Sequence, residues 1–150
     1  MADDQRPLNE RGRKQGQALA EYFARFDLDI DVILCSAATR TRQTLDLVLP
    51  ALGAAKIEIL PSLYGGSPDT YLDEVNAADR NHVMLIGHNP TCDELVHMLA
   101  ARGGDAAERL AATHYATGSW TTLVFEGAYA EGKGKVEHFM QPRELLAKSR

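Results

Sequence analysis

Twice in this chain a short, unbroken apolar run ends in a polar loop and is followed by apolar residues at helical spacing. No other feature constrains the fold as much. His82-Val83-Met84-Leu85-Ile86-Gly87 leads into His88-Asn89-Pro90-Thr91, and Cys92 to Ala101 then follows a helical pattern. A run without polar alternation suits a strand covered on both faces, as in parallel sheets. Asp31 to Ser36 repeats the plan: Val32-Ile33-Leu34-Cys35 is apolar, a polar stretch follows, and the helical pattern Thr44 to Leu52 is closed by Gly53. Strand, loop and helix in alternation imply a largely parallel sheet with helices on both faces. In such sheets ligands gather beyond the carboxyl ends of the strands, where loops converge and helix amino termini offer unpaired N–H groups.

The remaining segments fit around that frame. Asn9 can cap a helix from Glu10 to about Phe26, with Leu19, Tyr22, Phe23 and Phe26 on its buried face. Ile57 to Leu60 reads as a further strand, Pro61 to Asp69 as a loop, and Thr70 to Ala78 as a helix. Gly103-Gly104 ends the helix that starts at Cys92. Trp120 to Phe125 and Val136 to Met140 read as two strands joined by the Gly-rich turn Glu126 to Lys135, a hairpin at the sheet edge. No repeat or linker divides the chain, so residues 1–150 are expected to form one domain, a three-layer α/β sandwich with a C-terminal β-hairpin.

Composition serves mainly to exclude. The net charge of −5 argues against a broad nucleic-acid or anionic-membrane surface, so an anion site must be a local basic pocket. No apolar stretch approaches the roughly 20 residues of a membrane span, and no signal peptide opens the chain, which makes a cytoplasmic protein the simplest expectation. Cys35 and Cys92 lack metal-ligand spacing and are expected to be reduced, with Cys35 a buried strand residue. Neither H-E-x-x-H nor a Cys/His cluster occurs, so no metal and no other cofactor is expected.

The two strand-end loops hold the chemistry. Ser36 to Thr44 carries Arg40, whose planar guanidinium can clamp two phosphate oxygens; alone, it could equally be a surface ion-pair residue at a helix start. His88, between a glycine and Asn89-Pro90, sits in a defined turn where it can donate to phosphate or transfer a proton. His82, His97, His114 and His138 read as structural, and Asp69, Asp73 and Glu74 as solvated helix residues. Cys35 and Arg40 do not form the loop of a cysteine-dependent phosphatase, which needs five intervening residues where this chain has four.

Five segments in order then resemble the SixA-type phosphohistidine phosphatases of the histidine phosphatase superfamily. Arg6-Pro7-Leu8-Asn9-Glu10-Arg11-Gly12 is similar to the family's R-P-L-[ST]-x-x-G helix entry, and Ser36 through Arg40 to Gln43-Thr44 to its S-x-x-x-R-x-x-Q-T phosphate loop. Leu85-Ile86-Gly87-His88-Asn89-Pro90 matches V-G-H-N-P, while Thr117-Gly118-Ser119 and Gln141-Pro142-Arg143-Glu144-Leu145 resemble T-G-[SA] and P-[RK]-x-L. The resemblance implies that Arg40 is the second phosphate-binding arginine and His88 the second histidine, with Asn89 and Ser36 completing the phosphate loop. It also implies a phosphohistidine intermediate formed without metal. The expected partner is a phosphorylated protein such as a histidine phosphotransfer domain, or a small phosphate compound.

The family's R-H-[GA] motif, at the end of a first strand shortly before R-P-L, has no counterpart: Met1-Ala2-Asp3-Asp4-Gln5 stands there. The first strand, the nucleophilic histidine and one phosphate arginine are therefore expected to be missing from residues 1–150. A truncated start is the favoured explanation, because removing an inner strand strips a covered sheet of much of its core. Natural loss of catalysis, leaving a phosphate or phosphoprotein-binding module, is the alternative.

Overall fold

The computed structural model describes residues 1–148. Its helices are α1 (Glu10–Phe23), α2 (Thr39–Val48), α3 (Pro68–Ala77), α4 (Thr91–Leu99), α5 (Asp105–Ala112) and α6 (Pro142–Lys148). Its strands are β1 (Val32–Ser36), β2 (Lys56–Leu60), β3 (Val83–Ile86), β4 (Trp120–Val124) and β5 (Lys135–Met140), with single 3-10 turns at Asp3–Gln5, Leu49–Ala51 and Pro61–Leu63.

β1 is the axis of the parallel sheet, ordered β2-β1-β3, with Ile33 opposite Ile57 on one side and Met84 on the other. Its five residues are all buried, and alternate side chains enter opposite layers. Ile33 and Cys35 join Leu19, Phe23, Leu45 and Val48 beneath α1 and α2. Val32 and Leu34 join Tyr71, Leu95 and Leu99 beneath α3 and α4. These two clusters give the sheet its covering on both faces. Burying a side chain such as Ile33 is worth about 1.5–3 kcal/mol, so β1 anchors the fold. β2 is an exposed edge, with Ile57 and Ile59 about 40% accessible (40% and 41%) and a Lys56–Glu58 ion pair at 3.3 Å. Charged residues on such an edge discourage pairing with another chain.

β4 and β5 form a separate antiparallel pair with an irregularity between Thr122 and Leu123. Against them pack Ala107 and Leu110 of α5 and Tyr115, around Val136 and Phe139. The expected hairpin, parallel sheet and helix layers are thus present, but the hairpin is a sheet of its own instead of extending the edge of the parallel one, since β4 bonds only to β5.

Several boundaries differ. α1 stops at Phe23, because the amides of Arg25 and Phe26 bond three residues back in a tightening turn, and Phe26 is left 43% exposed instead of buried. α2 begins at Thr39, not Thr44: Thr41 Oγ1 donates to the carbonyls of Ser36 and Ala38, both at 2.9 Å, and winds the polar stretch into the first turn. α3 begins inside the expected loop, where Ser67 caps it by accepting from the amide of Thr70 at 3.2 Å and Pro68 takes the first position. α5 and α6 were not expected as helices. Among the described residues no helix is long and apolar enough to cross a membrane.

Candidate active site

β1 and β3 are hydrogen-bonded neighbours running the same way, so their carboxyl ends deliver Ser36 and His88 to one place. His88 Nε2 lies 2.8 Å from Ser36 Oγ. Ser36 is fully buried, and its hydroxyl also accepts from the amide of Ala38 at 3.3 Å. Starting α2 at Thr39 places Arg40 in the helix's first turn, at the rim of a cavity that His88 also lines.

The backbone of His88 is fixed from below. Its N–H donates to the hydroxyl of Tyr71 at 3.1 Å, and that hydroxyl donates to the carbonyl of Leu63 at 2.6 Å. Gly87 permits this approach: a Cβ there would stand 2.6 Å from a Tyr71 ring carbon and 2.7 Å from its oxygen. Tyr64 lays its ring edge-on to His88 at 5.4 Å between centroids. Burial lowers the His88 pKa below the ordinary 6.5, the Arg40 charge lowers it further, and Asp3 opposes both. His88 is therefore a neutral imidazole at pH 7, whose Nε2 donor or acceptor role follows its tautomer.

Asn89 is committed elsewhere. Its Nδ2 donates to the carbonyl of Tyr115 at 3.0 Å and its Oδ1 accepts from the amide of Asp93 at 3.2 Å, which ties the strand-end turn to the loop before β4 and to α4.

The first turn of the chain closes the mouth. Arg40 donates to the carbonyl of Asp3 at 2.8 Å and to its carboxylate at 3.1 Å. The same carboxylate accepts from Tyr64 Oη at 2.6 Å and from Arg6 Nε at 2.9 Å. Three donors therefore hold the Asp3 carboxyl at a pKa of about 2, the Tyr64 bond first, then Arg40 and Arg6. Sequence reasoning passed over Asp3, Tyr64 and Tyr71. Asp3 lies in a segment read only for what it lacked, and the tyrosines lie on elements whose facing partners no local pattern identifies.

Two of the other histidines have partners away from the cavity. His97 bonds the carbonyls of Asp93 and Leu110 at 2.8 and 3.2 Å, and His82 Nδ1 approaches Asp31 at 3.3 Å. Cys35 is fully buried with its thiol pushed up to about 11, and burial raises Cys92 to about 12. Neither is a thiolate nucleophile at neutral pH. Asp69 and Asp73 are exposed on α3. Among the described residues no group of three or more His, Cys, Asp or Glu side chains is arranged to hold a metal ion.

A neutral imidazole and a guanidinium stand together at the carboxyl edge of a parallel α/β sheet, an arrangement with the chemistry to hold an oxyanion, and the comparisons give the chain a family. The family model of the histidine phosphatase superfamily, branch 1, matches residues 3–117, and the chain belongs to that family. An uncharacterised protein of Mycobacterium tuberculosis is 39% identical over 114 residues, spanning 71% of this chain and 68% of the relative. A proposed phosphohistidine phosphatase SixA from Nakamurella multipartitia superposes with a TM-score of 0.79 at 29% identity, covering 95% of this chain and 88% of the other. A counterpart from Agrobacterium tumefaciens gives 0.77 at 26%, with 95% and 87% covered. A protein histidine phosphatase SixA complexed with tungstate shares the fold, with a TM-score of 0.76 at 23% identity over 96% and 89% of the chains. The chain is thus SixA-like and phosphatase-like in fold and family.

Proposed function

We propose that this chain belongs to a cytoplasmic phosphohistidine phosphatase acting on a phosphorylated histidine-containing protein, with residues 1–150 forming one domain that supplies the phosphoryl-binding groups. The observation that carries the reading is the convergence of neutral His88, buried Ser36 and the Arg40 guanidinium beyond the carboxyl ends of β1 and β3. In that role Arg40 neutralises phosphoryl oxygens and the His88 ring stabilises the charge that develops on them, with the Ser36 hydroxyl bonded to Nε2 setting the ring's orientation. Asn89 acts by holding the turn, since both ends of its amide are already bonded.

The proposed chemistry breaks the P–N bond of phosphohistidine after an imidazole attacks phosphorus from the opposite side. The leaving imidazole takes up a proton, and water then cleaves the phosphoenzyme. Family resemblance puts the attacking imidazole at the end of a strand preceding Arg6. Among the described residues His88 is the one histidine on the cavity wall, and its part in this reading is to stabilise charge.

A second reading, a phosphate- or phosphoprotein-binding module, is supported by the ion pair of Arg40 with the Asp3 carboxylate, an anion in the place such a ligand would take. One experiment separates the two. Residues 1–150, and the same chain carrying an added N-terminal strand that ends in Arg-His, are incubated with a phosphohistidine-bearing phosphotransfer domain, following phosphate release and acid-labile label on the enzyme. The enzyme reading expects turnover and label only with the added strand, and a loss of about 100- to 1,000-fold in Arg40→Ala or His88→Ala. Activity within a few-fold of the parent in both variants would refute the assignment of these residues. Phosphate binding that depends on Arg40, with no turnover in either chain, would leave the binding module.

A further inference from the structure

Tyr64 is a large aromatic residue left 39% exposed, yet the chain on both sides of it is fastened to the turn that carries His88. The residue before it, Leu63, is fully buried, and the Leu63 carbonyl accepts from the same Tyr71 hydroxyl that holds the His88 amide. Two residues after it, the Gly66 carbonyl accepts from the hydroxyl of Thr91, the first residue of α4, at 2.9 Å. Its own amide closes a 3-10 turn onto Pro61 at 3.1 Å, and its ring meets the His88 ring edge-on. Tyr64 is thus braced beside His88 with its hydroxyl turned out of the core.

That hydroxyl shares its acceptor with the phosphoryl clamp. Tyr64 Oη donates to Asp3 Oδ2 at 2.6 Å, and Arg40 donates to the same oxygen at 3.1 Å. The other carboxylate oxygen, Oδ1, is held by Arg6 at 2.6 and 2.9 Å. Asp3 can therefore withdraw Oδ2 and keep Arg6 as its partner, which frees the phenol and the guanidinium together. The other neutral donors beside Arg40 are engaged without Asp3: His88 Nε2 lies on the Ser36 hydroxyl, and the Asn89 amide is bonded at both ends. The hydrogen bond to Asp3, ahead of burial, raises Tyr64 above the ordinary 10, so the group keeps a proton to donate at neutral pH.

We infer that Tyr64 is a substrate-binding residue, whose hydroxyl donates to the phosphoryl oxygen that Arg40 holds once that oxygen takes the place of Asp3 Oδ2. This role rests on the phosphatase reading, in which Arg40 and His88 have parts and Tyr64 has none. No covalent bond changes in the step. The phenol keeps its proton and shares it with a charged acceptor, which makes the stronger kind of hydrogen bond.

Inorganic phosphate is titrated into the 150-residue chain, with binding read from the His88 ring resonances, for Tyr64→Phe made in the parent and in Asp3→Ala. With the Asp3 carboxylate gone, Tyr64→Phe should weaken phosphate binding by roughly tenfold or more, as expected for losing a hydrogen bond to a charged group. In the parent the loss should be smaller, because the same change also loosens the competing carboxylate. A Tyr64 that merely anchors Asp3 would behave in the opposite way. Tyr64→Phe would then tighten binding in the parent and change nothing in Asp3→Ala, and that pattern would overturn the inference. The ring stays in Tyr64→Phe, so the phosphate-free His88 resonances and the Tm should stay close to the parent's. A shift in either as large as that of Tyr71→Phe would also overturn it, since the hydroxyl would then hold the frame of the site and not its ligand. Arg40→Ala in the same titration tells the two claims apart. Loss of binding there, with full binding in the Asp3→Ala, Tyr64→Phe double variant, sinks only the role of Tyr64. Binding unchanged by Arg40→Ala sinks the phosphoryl clamp and the role of Tyr64 with it.

Discussion

Tyr71→Phe removes one oxygen and leaves the ring, so it isolates how the floor of the site is held. Tyr71 is fully buried, and its hydroxyl both donates to Leu63 at 2.6 Å and accepts from the His88 amide at 3.1 Å. An orphaned buried polar group costs about 1–3 kcal/mol. The Leu63 carbonyl belongs to a fully buried residue and takes that penalty, whereas the His88 amide, in a half-buried turn, can recruit water from the cavity. One penalty is therefore expected, not two: about 1–3 kcal/mol, or a fall in Tm of about 2–12 °C for a chain of this size. Urea unfolding should show a lower midpoint at an unchanged m-value. Phosphate affinity, read from the His88 ring resonances, should fall at the same time, because the turn that aims His88 has lost its anchor. A stability change below about 0.5 kcal/mol, with phosphate binding intact, would show that the hydroxyl does not hold the turn.

Further outcomes follow from the same contacts. Asp3→Asn should tighten phosphate binding about two- to tenfold at pH 7, as expected when an exposed ion pair that competes for Arg40 is removed, and unchanged affinity would refute the competition. Asp3, depressed to about 2, keeps its grip on Arg40 throughout the range above its ordinary 3.8 and loses it only as pH falls through about 2, so wild type and Asp3→Asn should converge in phosphate affinity toward that end. His88 titrates below 6.5, so the unfolded chain takes up the proton first and stability should decline as pH drops below 6.5; part of that slope should vanish in His88→Gln when denaturation is followed against pH. Gly87→Ala would drive a methyl into the Tyr71 ring and should cost about 1–3 kcal/mol in thermal or chemical denaturation, and a neutral result would mean that the two elements separate freely.

The two strand–loop–helix units were legible because β1 and β3 carry unbroken apolar runs, and a strand covered on both faces has no polar alternation to obscure it. That Arg40, His88, Ser36 and Asn89 lie near one another was legible for the same reason, since each lies within a few residues of such a strand's end. What stayed hidden depends on pairing across the fold. α5 was missed despite its alanines, which favour helix, because Asp105 to Ala112 is short and carries Leu110 as its one large apolar residue, so its support comes from Val136 and Phe139 on the hairpin. α2 began earlier than its apolar spacing suggests because Thr41 bonds backward to Ser36 and Ala38, a local capping choice that hydrophobic periodicity does not register. The competing anion at Arg40 was hidden most deeply, for it joins residues at the two ends of a stretch of 37 positions.

These contacts also explain how Ser36, His88 and Arg40 are held together by the parallel sheet and its helices. Ser36 is set by its own loop through the Ala38 amide and by β1, the most buried element of the sheet. His88 is set by Tyr71 and by Asn89, and Arg40 rides on a helix whose first turn is bonded to Ser36. None of these supports involves the hairpin side except the Asn89–Tyr115 bond, which ties the strand-end turn to the loop before β4. In the proposed role, phosphate affinity is therefore expected to depend on β1, β3 and the helices that follow them. On that reading attack on phosphorus needs an imidazole on the opposite side, which none of these elements supplies, so binding and turnover should separate: a change that leaves β1, β3 and their helices intact should leave phosphate affinity in place.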